Sequence, residues 1–165
     1  MRIAICGKMG SGKTYIADKL AKEYNLEKVS FAEKIKDIAF DLFNIEQKDR
    51  KLLQIIGDKM KEIDKDIWIK YLLKKIKNKN NIIIDDLRFQ NELYYLKKNN
   101  FIILGLTIDN KTQLLRLKDK YGDEYINHIG RQNHNSEQEI DNLECDLKII
   151  SNEKTFENII IYLNS

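Results

Sequence analysis

ICGKMGSGKTY, residues 5–15, puts a glycine-rich loop directly after the first apolar segment of the chain. Residues 7–14 have the spacing GxxxxGKT, which is the phosphate-binding loop pattern. The preceding residues 2–6 (RIAIC) predict a short buried strand, and the residues that follow predict a helix. A strand, the loop and a helix, in that order, form the context in which this pattern holds phosphate.

The loop residues predict how a nucleotide would be held. Glycines let backbone N–H groups point inward around phosphate oxygens, and the start of the helix adds its dipole. Lys13 is expected to bridge the β- and γ-phosphates, and the Thr14 hydroxyl to ligate Mg²⁺. We therefore expect ATP or GTP with Mg²⁺, bound by Gly7, Met9, Gly10, Ser11, Gly12, Lys13 and Thr14.

Composition narrows the class of protein. The 165 residues suffice for one domain with its own core, and 42% hydrophobic with 33% charged residues is typical of globular proteins. No run of 18 apolar residues and no signal peptide is present, and the net charge of +3 is spread out. We expect no membrane or nucleic-acid partner and a cytoplasmic location, in the host cytoplasm if the protein is viral. The sequence is compatible with a homodimer but does not set the oligomeric state.

Strand-like and helix-like segments alternate along the chain. Strands are predicted at 2–6, 81–86, 101–108 and 145–151, and a brief strand or turn at 28–32. Helices are predicted at 12–24, 32–43, 48–63, 64–78, 89–99, 110–122 and 153–163. This alternation predicts an α/β fold with a parallel sheet of about five strands and helices on both faces. Without a repeat or linker we expect one domain over 1–165, with a small lid over roughly 116–135.

The segment IIIDDLRFQNE (82–92) ends a predicted strand with two acids. Ligands bind at the carboxyl ends of parallel strands, where a carboxylate can hold Mg²⁺ or accept a proton. If the strand is regular, Asp86 and Arg88 share a side facing the phosphates near Thr14. Asp85 would then hydrogen-bond loop backbone or a metal-bound water. The alternative is an ordinary strand end with solvated acids.

Two arginines flank the polar stretch 117–130. A kinase needs positive charge near the transferred phosphoryl group, and Arg116 and Arg131 are candidates for it. Each is equally well explained as a solvated surface arginine.

The His134–Glu137 segment also has two interpretations. It can contact substrate, or it can start a helix, because Ser136 followed by Glu139 forms a capping box. No histidine base is required for phosphoryl transfer of this kind. The two cysteines, Cys6 and Cys145, are far apart in the sequence, lack metal-ligand spacing and are predicted to be free thiols.

Six segments occur in the order found in a known family. They are GKMGSGKT, SFAEKIK, LLQIIG, DIWI, DDLRFQNE and HNSE. Over most of its length the chain resembles the deoxynucleoside monophosphate kinases of bacteriophages, which belong to the phosphate-loop nucleoside monophosphate kinases. The resemblance implies transfer of the γ-phosphoryl group of ATP to a (deoxy)nucleoside 5'-monophosphate, with Mg²⁺ as cofactor.

The resemblance also implies residue roles. Asp86, rather than Asp85, matches the family's acid, because it begins the Asp-x-Arg-Phe run. The implied catalytic residues are Lys13, Asp86, Arg88 and Arg131, and the metal ligands are Thr14 and Asp86. Arg116 is assigned to the cofactor. The implied substrate-binding residues are Ser30, Phe31, Lys36, Gln54, Lys61, Asp85, Arg88, Glu92, His134 and Glu137.

The chain departs from the family pattern at several positions. Lys61 stands where an arginine is expected, which keeps the charge but loses bidentate geometry. Asn133 stands where an aspartate is usual.

Two other functions fit parts of the pattern. A kinase for dephospho-coenzyme A or phosphomevalonate would share the loop and fold. A GTP-binding switch would need an Asn-Lys-x-Asp motif, whereas NKTQ (110–113) lacks the aspartate.

Overall fold

A computed structural model describes residues 1–45, 49–125 and 139–165. The strands are β1 (Arg2–Gly7), β2 (Glu27–Val29), β3 (Ile82–Leu87), β4 (Ile102–Thr107) and β5 (Leu147–Ile150). The α-helices are α1 (Lys13–Glu23), α2 (Glu33–Phe43), α3 (Arg50–Ile63), α4 (Ile67–Lys75), α5 (Gln90–Lys98), α6 (Asn110–Tyr121) and α7 (Thr155–Leu163). Single 3₁₀ turns cover Gly122–Glu124 and Glu139–Asn142. Among these described residues, no helix has the length and apolar character needed to cross a membrane.

The five strands form one sheet in the order β2-β3-β1-β4-β5. Strand β1 pairs in parallel with both β3 and β4, and β4 pairs in parallel with β5. This confirms the predicted α/β fold. The phosphate loop therefore leaves the central strand at its carboxyl end, where the carboxyl ends of the neighbouring strands also converge.

The chain divides into two compact units, one formed by Met1–Lys28 with Asn81–Ser165 and the other by Val29–Asn80. In the first unit, one core contains Ile3 and Ile5 of β1 and the α7 residue Ile159. The α1 residues Ile16, Ala17 and Leu20 join the same core, as their helical spacing predicts. This packing fixes α1, and with it the end of the phosphate loop, against the sheet.

The second unit consists of α2, α3 and α4. The Trp68 indole Nε1 donates to the Gly57 carbonyl at 3.1 Å, and Lys75 forms an ion pair with Glu33. The predicted apolar stripe of α2 is only partly buried, because Ala39 is enclosed whereas Leu42 is 73% exposed.

Strand β3 is irregular at the two acids. Its partner β1 advances two residues from Ala4 to Cys6, while β3 advances three from Ile84 to Leu87. This bulge adds one residue beside Asp85 and Asp86. The condition of a regular strand is therefore not met, so strict two-residue alternation cannot assign the sides on which Asp86 and Arg88 lie, and their roles stay predictions.

Candidate active site

The phosphate loop runs from the end of β1 to the start of α1. Gly10 and Gly12 have φ values of 83° and 88°, in the left-handed region that favours glycine. Gly7 is required for a different reason: a Cβ there would collide with the Leu106 carbonyl oxygen and lie 2.7 Å from Ser11 Oγ. These positions explain the glycine pattern in terms of backbone shape and close packing.

The N-terminus of α1 is open to an acceptor. Gly12 is its N-cap, and among the described residues no side chain caps the helix and no acid lies in its first turn. By contrast, the Asp109 side chain caps α6 by accepting from the Thr112 N–H at 2.9 Å. The dipole of α1 favours an anion at this end of the helix.

Ser11 adds an unsatisfied polar atom inside the loop. Its side chain is fully buried, and its Oγ has no hydrogen-bond partner among the described residues. A buried hydroxyl without a partner costs free energy, so it marks a place where a ligand would restore the missing bond. Together with the open helix terminus, it makes the loop fit a phosphate group.

Lys13 lies across the loop. Its ammonium donates to the carbonyl oxygens of Gly7 and, at 3.0 Å, of Lys8. Thr14 follows on an exposed position in the first turn of α1, where its side chain is accessible. The charge and the hydroxyl that the motif predicts are therefore both present at the helix start.

Helix α6 holds the outside of the loop, a contact that the sequence motif does not reveal. Gln113, which is buried, donates from Nε2 to the Met9 carbonyl at 2.7 Å. Arg116 Nη1 donates to the Gly10 carbonyl at 3.2 Å and to Ser151 Oγ at 2.9 Å. Arg116, predicted to contact the nucleotide, thus touches the loop itself. A signal for Gln113 was available, since it lies four residues before the buried Leu117 on the same helix face.

Asp85 is engaged by a lysine rather than by loop backbone. Lys28 Nζ lies 3.7 Å from its Oδ2 and 2.6 Å from Asp18 Oδ1. Burial alone would lower the pKa of Lys28, but the hydrogen bond to Asp18 and the charge of Asp85 raise it, so the lysine stays protonated. Asp86 is half-buried beside the bulge. Among the described residues Asp85 thus has this ion pair rather than a hydrogen bond to loop backbone, and its alternative contact with a metal-bound water stays a prediction.

Glu92 organises the turn that carries Arg88. Its buried carboxylate accepts from the Arg88 and Phe89 N–H groups at 2.9 and 3.1 Å at the start of α5. One carboxylate oxygen of this predicted substrate-binding residue is therefore committed to the backbone. Its position fixes the backbone from which the Arg88 side chain projects.

The donor set suits Mg²⁺ held mainly by nucleotide phosphates. Within the described parts of the chain, no cluster of three or more His, Cys, Asp or Glu side chains could hold a metal ion. Mg²⁺ commonly takes one or two protein oxygens and completes its shell with water and phosphate oxygens. Thr14 and Asp86 would be the protein ligands, as the sequence predicts.

The remaining predicted residues lie in the second unit or outside the described ranges. Phe31 is buried in the second unit, and Ser30 Oγ accepts a backbone N–H at 3.1 Å before α2. Lys61 is half-buried, while Lys36 and Gln54 are exposed. Arg131, His134, Glu137 and the second half of the predicted lid fall outside the described residues, so their roles stay predictions.

Known proteins resemble this chain along nearly its whole length. A UPF0200 protein of Methanococcus vannielii is 28% identical to this chain, and the alignment covers 99% of this chain and 92% of that protein. The fold is similar to shikimate kinase of Aquifex aeolicus, with a TM-score of 0.58, 18% identity, and 99% and 96% of the two chains covered. The fold is also similar to a gluconokinase of Sinorhizobium meliloti, with a TM-score of 0.56 and 11% identity, and 97% of this chain and 87% of that chain are covered.

The fold is thus one that P-loop kinases share. A family model described as AAA_18, AAA domain, matches residues 3–141, which include the phosphate loop, β3 and α6. The chain therefore belongs to the AAA_18 family of AAA domains and has the P-loop kinase fold.

Proposed function

We propose that this protein transfers the γ-phosphoryl group of ATP to a (deoxy)nucleoside 5'-monophosphate, giving the diphosphate and ADP. The observation that carries the phosphoryl-transfer part is the loop, in which the buried Ser11 Oγ has no partner among the described residues and Lys13 lies across the start of a helix without a side-chain cap. The acceptor part rests on the ordered segments described above, from SFAEKIK to HNSE.

The reaction needs positioning and charge neutralisation rather than a covalent intermediate. An α-phosphate oxygen of the acceptor attacks the γ-phosphorus in line, and the β–γ bridging oxygen leaves with ADP. Lys13 exchanges its loop carbonyls for phosphate oxygens and balances the charge of the transition state. The N–H groups of the loop and of α1 orient the β- and γ-phosphates.

Two further groups would assist from β3 and its following turn. Thr14 and Asp86 would hold Mg²⁺, which would supply positive charge to neutralise the phosphates. Arg88, held by the Glu92 cap at its backbone, would supply a planar guanidinium to a phosphate.

A GTP-binding switch is disfavoured by α6. Residues 110–113 (NKTQ) form its first turn, and Gln113 is buried against the phosphate loop instead of lining an exposed base pocket. A guanine-reading loop at this position would require this turn to unwind.

The acceptor is identified by measuring ADP release with ATP and Mg²⁺ across all common ribo- and deoxynucleoside monophosphates. Parallel reactions contain dephospho-coenzyme A, phosphomevalonate, shikimate or gluconate, because kinases of this fold act on varied small molecules. We expect ADP release above the water-only rate with at least one nucleoside monophosphate. Release only with another acceptor would reject the proposed acceptor and retain phosphoryl transfer.

A further inference from the structure

The two cysteines of the chain meet beside the phosphate loop. Cys6 lies on β1 immediately before Gly7, and Cys145 lies 139 residues later, ahead of β5. Their Sγ atoms are 3.4 Å apart, and both are free thiols. Because the chain has 2 cysteines in all, any disulfide within one molecule must join this pair.

Gly105 provides the space in which the thiols meet. It pairs with Cys6 across the β1–β4 register, and a Cβ on it would lie only 2.7 Å from Cys145 Sγ. Any larger residue at position 105 would therefore displace the Cys145 side chain. The contact between the two thiols therefore depends on Gly105, which lies outside the phosphate loop.

The two thiols differ in accessibility and acidity. Cys6 is 2% exposed, whereas Cys145 is half-buried, and both thiols line a small pocket together with Lys148 and Asp141. The hydrogen bond between the thiols, reinforced by burial, raises the pKa of Cys6. The same hydrogen bond lowers the pKa of Cys145, and the nearby Lys148 charge acts in that direction too. Cys145 is thus the thiol that ionises first and that a small solute can reach.

We propose that Cys6 and Cys145 form an oxidative modification site, at which a hydroperoxide converts the thiol pair into an intramolecular disulfide. The Cys145 thiolate attacks the peroxide, an S–O bond forms, the O–O bond breaks, and water leaves after protonation when the oxidant is hydrogen peroxide. Cys6 then attacks the Cys145 sulfenic sulfur, the S–S bond forms, and a second water leaves. The two thiols lose two electrons in total, which reduce the peroxide.

The disulfide would link two segments of the first unit that are 139 positions apart in the sequence. A disulfide needs its sulfurs about 2.05 Å apart, so the 3.4 Å contact must close by a side-chain or small backbone shift. Cys6 directly precedes Gly7, whose position is tightly enclosed by Leu106 and Ser11. Oxidation would therefore tether the first glycine of the loop to the segment leading into β5. This inference is independent of the proposed acceptor and of ATP turnover.

The test measures the intact mass of the whole protein after reduction, removal of the reductant, exposure to hydrogen peroxide and alkylation under denaturing conditions. The wild type should lose about 2 Da and take up no alkylating agent, because both thiols are consumed. Proteolysis without reduction should yield a peptide pair containing Cys6 and Cys145. Cys6→Ser should instead accumulate a sulfenic acid that dimedone traps on Cys145, while Cys145→Ser should keep an alkylatable Cys6.

Gly105→Ala serves as the control for geometry, since its methyl group would displace Cys145 Sγ, and its cross-linking should be slower. Two results would overturn the proposal. One is a wild type that keeps both thiols alkylatable under conditions that oxidise Cys145 in Cys6→Ser. The other is a disulfide found only between chains, as dimers on a non-reducing gel. If a variant does not fold, the wild-type mass and peptide map decide alone.

Discussion

The Gln113 side chain on α6 donates its amide Nε2 to the Met9 carbonyl of the phosphate loop at 2.7 Å, from a buried position. One turn further, Arg116 donates to the next loop carbonyl, that of Gly10. Two residues of one helix thus fix two consecutive peptide groups of the loop. The loop is consequently shaped by α6 as well as by its own glycines.

Replacing Gln113 by Met keeps the side-chain size and removes the donor. The Met9 carbonyl then loses its partner, which costs about 1–3 kcal/mol when no water replaces it. Because the loop is shaped in ground and transition states alike, we expect KM for ATP to rise roughly tenfold and kcat to change less. Leu114→Met on the same helix, at an exposed position, is the matched control. An unchanged KM in a folded Gln113→Met would show that α6 does not set the loop.

Ser11→Ala should affect the free and the liganded protein in opposite directions. The Ser11 hydroxyl is buried without a partner, so its removal should leave the free energy of unfolding unchanged or raise it by up to about 1 kcal/mol. Affinity for ATP should fall, because a donor to phosphate is lost. Thermal unfolding and calorimetric titration with ATP measure the two effects. A clear loss of stability without ligand would mean that the hydroxyl has a structural partner.

The paired acids are predicted to have separate roles. Asp86→Asn should lower kcat and raise the Mg²⁺ concentration required, since it removes a charge from a metal ligand. Asp85→Asn weakens an ion pair with Lys28 and should leave the Mg²⁺ dependence close to that of the wild type. Rates of both variants over a range of Mg²⁺ concentrations separate the two. A stronger Mg²⁺ defect in Asp85→Asn would mean that the bulge brings Asp85, not Asp86, to the metal.

Glu92→Ala should destabilise the protein and disturb the site together. Two N–H groups at the start of α5 lose their acceptor, which costs about 1–2 kcal/mol. Arg88 loses its fixed backbone, so KM for the acceptor should rise as well. Glu92→Gln keeps one oxygen acceptor and should restore most of both properties. If Glu92→Gln restores stability but not KM, the Glu92 charge itself contacts the acceptor.

The parts of the fold encoded in short stretches of sequence were predictable. β1, the loop and α1 follow from glycine spacing and from apolar residues on one helix face, such as Ile16 and Leu20. The contacts between Gln113 and Met9 and between Cys6 and Cys145 join residues 104 and 139 positions apart. No local pattern specifies such contacts, because they depend on which strands become neighbours.

The bulge in β3 is a second feature that the sequence alone did not predict. Alternation along IIIDDL assumes that each residue advances the strand by one step, but the pairing with β1 absorbs an extra residue beside Asp85. The register is set by both strands, so one strand read alone cannot assign the sides of the residues after the bulge. The existence of an acidic strand end was predictable, whereas the direction of each acid was not.

Phosphoryl transfer to a nucleoside monophosphate is tested most directly with γ-labelled ATP. The label is followed in the presence of Mg²⁺ and a mixture of nucleoside and deoxynucleoside monophosphates. Wild type should place the label in a nucleoside diphosphate. Lys13→Ala should reduce that transfer roughly 100-fold or more, because a charge at the transferred group is lost. Lys22→Ala, an exposed lysine in the last turn of the same helix, should transfer label at the wild-type rate. Label appearing only as inorganic phosphate, or equal transfer by Lys13→Ala, would contradict the account.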